Sequence, residues 1–145
     1  MQLAPLRILI VDDFQSWRQF VSTLLQDHPE FQIVGEALDG LEAVLKSGQL
    51  QPDLILLDIG LPNLNGIEAA RRICAIAPAS TILFVSENQC QIVAEEALRA
   101  SPHTRGYVVK SDASSDLLPA LKAVVEDRHF ISRRLRAFAA DSTVE

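Results

Sequence analysis

Apolar residues in this chain alternate between two spacings, and this alternation restricts the fold more than any other feature of the sequence. Five short apolar runs are typical of strands buried on both faces. These runs are Arg7–Val11, Phe31–Ala37, Asp53–Leu57, Thr81–Val85 and Arg105–Val109. After each run, apolar residues recur every three or four positions, which predicts five helices. The alternation predicts a doubly wound α/β fold with a five-stranded parallel sheet, for which 2-1-3-4-5 is a common strand order.

Proline residues indicate where several of these helices end. Pro29, Pro78 and Pro102 follow the first, third and fourth helical segments. Pro119 lies within the fifth segment. A proline in the first turn loses no helical hydrogen bond, so the sequence predicts that this helix begins near Asp116.

Composition excludes several classes of protein. The 145 residues favour one domain, and 48% hydrophobic with 22% charged residues is an ordinary globular balance. No apolar run is long enough to span a membrane, and no signal peptide is recognisable. The net charge of −6 argues against direct nucleic-acid binding. Two cysteines favour a reduced, cytoplasmic chain, and the three histidines lie too far apart in sequence for a zinc site.

Polar residues follow four of the predicted strands directly. Asp12 and Asp13 follow the first strand. Asp58 follows the third strand, Ser86 the fourth and Lys110 the fifth. Each residue alone would fit a turn, a helix cap or a solvated surface. At one edge of a parallel sheet, however, three carboxylates repel one another unless a cation compensates, and oxygen ligands suit Mg²⁺. The set predicts a site for a phosphoryl group beside Mg²⁺, with a carboxylate as the nucleophile.

Four segments carry a resemblance to a known family. They read ILIVDD at 8–13, DLILLDIGLPNLNG at 53–66, LFVS at 83–86 and GYVVK at 106–110. The chain closely resembles the receiver (CheY-like) domain of two-component response regulators, most of all the NarL/FixJ branch. The resemblance covers residues 7–127 and implies the flavodoxin-like receiver fold.

The resemblance also implies a role for each acid. Asp58 would be the phosphoacceptor and a ligand of Mg²⁺. Asp13 would bind Mg²⁺ directly, Asp12 would act mainly through water, and the backbone carbonyl of Gly60 would complete the protein ligands. Gly60 and Asn88 occupy positions that vary in the family and flank the phosphoryl group.

The remaining site residues would bind the phosphoryl group and respond to it. Ser86 and Lys110 would contact phosphoryl oxygens, and Tyr107 matches an aromatic switch position. The donor would be a sensor histidine kinase or a phosphotransfer protein, and the chain would catalyse only its own phosphorylation and dephosphorylation. Ser111 departs from the family, since many receivers have a proline there, and this departure leaves the shape of the following loop open.

Alternative functions remain at this point. The same fold could serve as a phosphorylation-independent dimerisation or adaptor module, or as the N-terminal part of a DNA-binding transcription regulator. A small-molecule phosphatase with an aspartate nucleophile fits poorly, because those enzymes carry a D-x-D pattern after the first strand and this chain has Asp12-Asp13-Phe14. Flavin binding also fits poorly, because no phosphate-binding loop follows that strand.

The expected domain organisation is a receiver over residues 1–128 and a basic extension over residues 129–145. Within the extension, His129–Ala140 predicts a sixth helix capped by Ser132, with Leu135 and Phe138 on one face. A linker stub, a dimer contact or a partner contact would also fit this segment. Trp17, near the start of the first helix, is a candidate for contact with a kinase.

Overall fold

The computed structural model describes residues 4–135. Its six-stranded parallel sheet has the order β2-β1-β3-β4-β5-β6. The strands are β1 Leu6–Val11, β2 Phe31–Ala37, β3 Leu54–Leu57, β4 Thr81–Ser86, β5 Thr104–Val109 and β6 Phe130–Ile131. The helices are α1 Gln15–Leu25, α2 Gly40–Leu50, α3 Gly66–Ile76, α4 Gln91–Leu98 and α5 Ala113–Val125. The predicted fold class and the order of the first five strands are confirmed, and β6 extends the sheet by one strand.

Two apolar layers cover the sheet, one on each face. Helices α1 and α5 pack on one face through Val21, Leu117 and Leu121. On the other face, α2, α3 and α4 pack through Ala43, Ile73 and Ala97. All residues of β3 are buried, as expected for a central parallel strand. Because both faces are covered, a site can form at the edges of the sheet. The polar residues predicted from the sequence lie at the edge formed by the carboxyl ends of the strands.

Within residues 4–135, no helix combines the length and the apolar character that a membrane span requires.

The start of α5 differs from the prediction. The helix begins at Ala113, after a 3-10 turn over Lys110–Asp112, and not near Asp116. Ala113 and Leu117 are both buried, so the apolar face begins one turn earlier than predicted. Pro119 therefore lies inside the helix, where it provides no N–H for a hydrogen bond to the turn before it.

The first residues of the C-terminal extension form a strand, which the sequence did not predict. Phe130 and Ile131 pair in parallel with Gly106 and Tyr107 of β5. The buried Ser132 hydroxyl accepts a hydrogen bond of 2.8 Å from the Val109 N–H. Residues 133–135 are helical, and the rest of the predicted sixth helix, including Phe138, lies outside the described residues.

Residues 130–135 form a C-terminal clasp that joins two loops at the carboxyl edge of the sheet. Arg134 donates to both carboxylate oxygens of Asp112, at 2.8 and 2.7 Å, and to Gln89 Oε1 at 3.0 Å. Leu135 is buried in the same apolar layer as α4. The clasp therefore contacts the loop after β4 and the turn after β5.

The loop between β3 and α3 depends on the absence of a side chain at Gly66. A Cβ at Gly66 would collide with the carbonyl of Asp58, whereas a Cβ at Gly60 would meet no atom within 4 Å. We expect Gly66→Ala to lower the free energy of unfolding by about 1–3 kcal/mol through this backbone clash. Gly60→Ala, the matched control, should change it by less than about 0.5 kcal/mol. Urea unfolding measures both, and equal stability of the two variants would contradict the structure.

Ser132 provides the second stability prediction. Ser132→Ala leaves the buried N–H of Val109 without its acceptor, which should lower the free energy of unfolding by about 1–3 kcal/mol. Ser114→Ala removes a hydroxyl from the exposed face of α5 and serves as the control. If both variants unfold at the same urea concentration as the parent, the clasp does not hold β5 as described.

The clasp also predicts a pH dependence. Hydrogen bonds from Arg134 hold the pKa of Asp112 below its usual value. The ionised carboxylate therefore stabilises the fold above its unfolded-state pKa, and this contribution is lost as the pH falls through the lower, folded-state pKa. In Arg134→Gln we expect the pKa of Asp112 to rise, as followed by the NMR shift of its carboxyl carbon. Arg133→Gln, at the exposed neighbouring position, should leave it unchanged.

Candidate functional site

Three carboxylates converge at the carboxyl ends of β1 and β3. Val11 pairs with Leu57, and the Asp58 N–H donates to the Val11 carbonyl at 3.2 Å, so the residues after these strands are neighbours. Asp12, Asp13 and Asp58 each place a carboxylate oxygen within 4.8 Å of the others. Asp12 and Asp58 are buried, while Asp13 is exposed. The predicted acid cluster is present and faces solvent on one side.

Lys110 supplies a positive charge to this cluster. Its Nζ lies 2.6 Å from Asp12 Oδ2 and 3.4 Å from Asp58 Oδ2. Burial raises the pKa of Asp58, the positive charge of Lys110 opposes this rise, and the charge of Asp12 adds to it. Burial alone would lower the pKa of Lys110, but its contacts with Asp12 and Asp58 raise it overall. Lys110 is therefore held as an ammonium ion, and one positive charge faces three acids.

The donor set fits a divalent cation of the magnesium type. Carboxylate and carbonyl oxygens with access to water are the ligands that Mg²⁺ takes in proteins. Asp13 is open to solvent, and the loop that carries Gly60 has free space beside it. A divalent cation here would offset the negative charge that Lys110 leaves uncompensated.

A depression of about 350 Å³ lies beside the acids, at the position expected for a bound group. Its lining includes four of the residues predicted from the sequence, namely Asp58, Gly60, Ser86 and Lys110. Phe14 and Asn88 complete part of its wall. The site therefore brings a carboxylate, a hydroxyl and an ammonium group around one open space.

The loop after β4 connects this depression with Tyr107. Ser86 Oγ accepts a hydrogen bond of 3.1 Å from the Asn88 N–H, and the Tyr107 hydroxyl donates to the Asn88 carbonyl at 2.7 Å. The Tyr107 ring is fully buried, and burial raises the pKa of its hydroxyl. Asn88 therefore contacts both Ser86 and Tyr107, with Tyr107 in an inward orientation.

Sequence reasoning did not predict that two aromatic rings lie beside the Lys110 ammonium group, an arrangement called here the aromatic cover. The ammonium group lies 5.1 Å from the centroid of the Trp17 ring and 5.6 Å from that of Phe14. The sequence places Trp17 in the apolar stripe of the first helix and makes it a candidate for contact with a kinase, but predicts no contact with Lys110. The position of Trp17 four residues after Asp13 brings it back over the end of the strand, a signal that the sequence contained.

A comparison with protein families identifies the response regulator receiver domain over residues 8–122. Chemotaxis protein CheY of Listeria monocytogenes is 32% identical over 117 residues, which cover 81% of this chain and 96% of that protein. The protein-glutamate methylesterase/protein-glutamine glutaminase of Thermotoga maritima is 42% identical over 95 residues, or 65% of this chain. This chain spans only 28% of that second relative's length, and 52% and 25% of two other curated relatives.

A solved structure agrees with these similarities in fold and in branch. A two-component response regulator of the LuxR family from Aurantimonas sp. SI85-9A1 superposes with a TM-score of 0.88 at 30% identity. The alignment covers 97% of this chain and 99% of that one. The expected resemblance to the NarL/FixJ branch is confirmed, and the chain belongs to the response regulator receiver domain family.

Proposed function

We propose that this receiver domain accepts a phosphoryl group on Asp58 in the presence of Mg²⁺, and that phosphorylation changes its contacts with other proteins. One observation carries the proposal. The buried carboxylate of Asp58 lies 3.4 Å from the Lys110 ammonium group, beside two further acids and at the wall of an open depression. A nucleophile, a fixed positive charge and room for a phosphoryl group therefore occur together.

The proposed reaction is a transfer from phosphohistidine. A carboxylate oxygen of Asp58 attacks phosphorus, the phosphorus–nitrogen bond breaks, and its electron pair returns to the imidazole of the donor. The donor is a sensor histidine kinase or a phosphotransfer protein. Lys110, whose raised pKa keeps it protonated, contacts a phosphoryl oxygen and stabilises the charge on the transferring group.

The proposal includes a set of protein ligands for Mg²⁺. Asp13, Asp58 and the Gly60 carbonyl would hold it, with Asp12 acting through water. When bound, it would neutralise negative charge on the phosphoryl oxygens.

Ser86 and Tyr107 are the proposed response elements. The Ser86 hydroxyl donates to a phosphoryl oxygen, which draws the loop after β4 toward Asp58. Because Asn88 contacts both side chains, a shift at Ser86 changes the acceptor of the Tyr107 hydroxyl. The phosphoryl group thereby stabilises one arrangement of this loop through contacts that it makes only there.

We further propose that the receiver domain ends near residue 128 and that residues 129–145 are an extension, whose first part, the clasp, packs on the domain. Both a single-domain regulator and the N-terminal part of a longer transcription regulator agree with the relatives, whose lengths differ widely. In either case the proposed catalysis is limited to the chain's own phosphorylation and dephosphorylation. A cytoplasmic location and a homodimer stay predictions.

Intact mass spectrometry after incubation with acetyl phosphate and Mg²⁺ tests the proposal. We expect one added phosphoryl group in the parent, none in Asp58→Asn, and none when EDTA removes the cation. Asp27→Asn is the matched control, because Asp27 is an exposed acid after α1, at the opposite edge of the sheet. It should be labelled like the parent.

Phosphoramidate, which carries a phosphorus–nitrogen bond, provides a second donor. Failure of both donors to label the folded parent would overturn the proposal, as would equal labelling of Asp58→Asn. A phosphorylation-independent dimer or adaptor would then account better for the fold, and sedimentation would measure its association.

A further inference from the structure

We infer that Trp17 and Phe14 are positioning residues for phosphoryl transfer, because their rings hold the Lys110 ammonium group against the acid cluster. The inference rests on the proposed function of Asp58. It concerns residues outside the acid, hydroxyl and lysine set that the sequence singled out. Neither ring carries a group that could react with phosphorus, and both would act through Lys110.

The ammonium group contacts both acids and both rings. Asp12 Oδ2 and Asp58 Oδ2 lie at 2.6 and 3.4 Å from it. Both ring centroids are within the roughly 6 Å over which a cation is attracted to an aromatic face. The Lys110 side chain is only 8% exposed, although it lies in a turn at the surface edge of the sheet. The rings therefore shield an ammonium group that water would otherwise surround.

Separate contacts position the Trp17 ring and the backbone of Phe14. The Trp17 ring packs on the Phe20 ring with centroids 5.2 Å apart. The Phe14 N–H donates to Asp12 Oδ1 at 2.9 Å, while Asp12 Oδ2 faces Lys110. The backbone that carries Phe14 is therefore tied to the acid that pairs with Lys110.

Restraint of this kind matters because lysine has a flexible four-carbon stem. A free lysine side chain occupies many rotamers, and restricting it to one of them costs conformational entropy. An ammonium group already held at the acids needs little rearrangement to meet a phosphoryl oxygen on Asp58. Removal of a ring should therefore slow phosphoryl transfer by freeing the Lys110 ammonium group, while Asp58 and Ser86 stay in place.

Rates of phosphoryl uptake from acetyl phosphate with Mg²⁺ test the inference. We expect Trp17→Leu to slow uptake by about threefold to thirtyfold, the range that a partly buried cation–aromatic contact supports. Trp17→Phe should recover most of this loss, because it restores an aromatic face. Phe14→Leu should show a smaller loss, since Phe14 is 55% exposed and its ring is more distant from the ammonium group.

Phe31→Leu is the matched control for general destabilisation. Phe31 lies at the start of β2 and packs in the same apolar layer as Trp17, far from Lys110. It removes a comparable aromatic contact from the core, and its uptake rate should stay within twofold of the parent.

An NMR signature separates positioning from a purely structural role. The sequence has three lysines, Lys46, Lys110 and Lys122, so carbon-labelled lysine gives few signals to assign. Ring currents should move the ε-methylene protons of Lys110 upfield of the other two, and Lys110→Met identifies the signal. Trp17→Leu should shift it back and Trp17→Phe should largely preserve it.

The outcomes distinguish this inference from the function on which it rests. A parent that takes up phosphate while Trp17→Leu matches its rate overturns the inference alone. An unshifted Lys110 signal in the parent, or equal losses in Trp17→Leu and Trp17→Phe, does the same. A folded parent that takes up no phosphate from either donor overturns the proposed function, and the inference falls with it.

Discussion

At the carboxyl edge of the sheet, three acids face one lysine, and this excess of negative charge dominates the structure there. Asp12 and Asp58 are buried there, and burying an ionised carboxylate is unfavourable unless a partner compensates. Lys110 is the compensating partner of both, at 2.6 and 3.4 Å, but a single ammonium group cannot neutralise three acids. The remaining negative charge makes the edge favourable for a cation, and a cation with Lys110 makes it favourable for a phosphoryl group. The same excess of negative charge therefore underlies both the structure of this edge and the chemistry proposed for it.

The register of the sheet determines which residues of the site are neighbours. Asp12 and Asp58 follow Val11 and Leu57, which pair across β1 and β3. Ser86 pairs with Val109, the residue before Lys110. The chain needs close backbone approach where β3 leaves the sheet, because a side chain at Gly66 would meet the Asp58 carbonyl. A parallel sheet thus places the residues of the proposed site at the ends of neighbouring strands.

Sequence reasoning succeeded where periodicity and strand direction decide the structure. Buried runs ending in Asp12, Asp58 or Ser86 are visible in one dimension, and parallel pairing alone makes their ends converge. It failed at β6, because a strand of two residues has no periodicity and forms only beside the free edge of β5. The aromatic cover of Lys110 also escaped, since it depends on the direction of side chains in α1. The start of α5 was predicted wrongly from Pro119. The helix begins earlier, at the buried Ala113, although Pro119 then lacks the N–H for a hydrogen bond to the preceding turn.

The C-terminal clasp gives the edge a second set of connections. Arg134 joins Asp112, two residues after Lys110, to Gln89, the neighbour of the residue that contacts Ser86 and Tyr107. In the proposed function, phosphorylation draws the loop of Ser86 toward Asp58 while the turn after β5 stays held by Ser132 and Arg134. In that proposal, movement of one loop against a fixed neighbour would act on the Arg134 contacts between them.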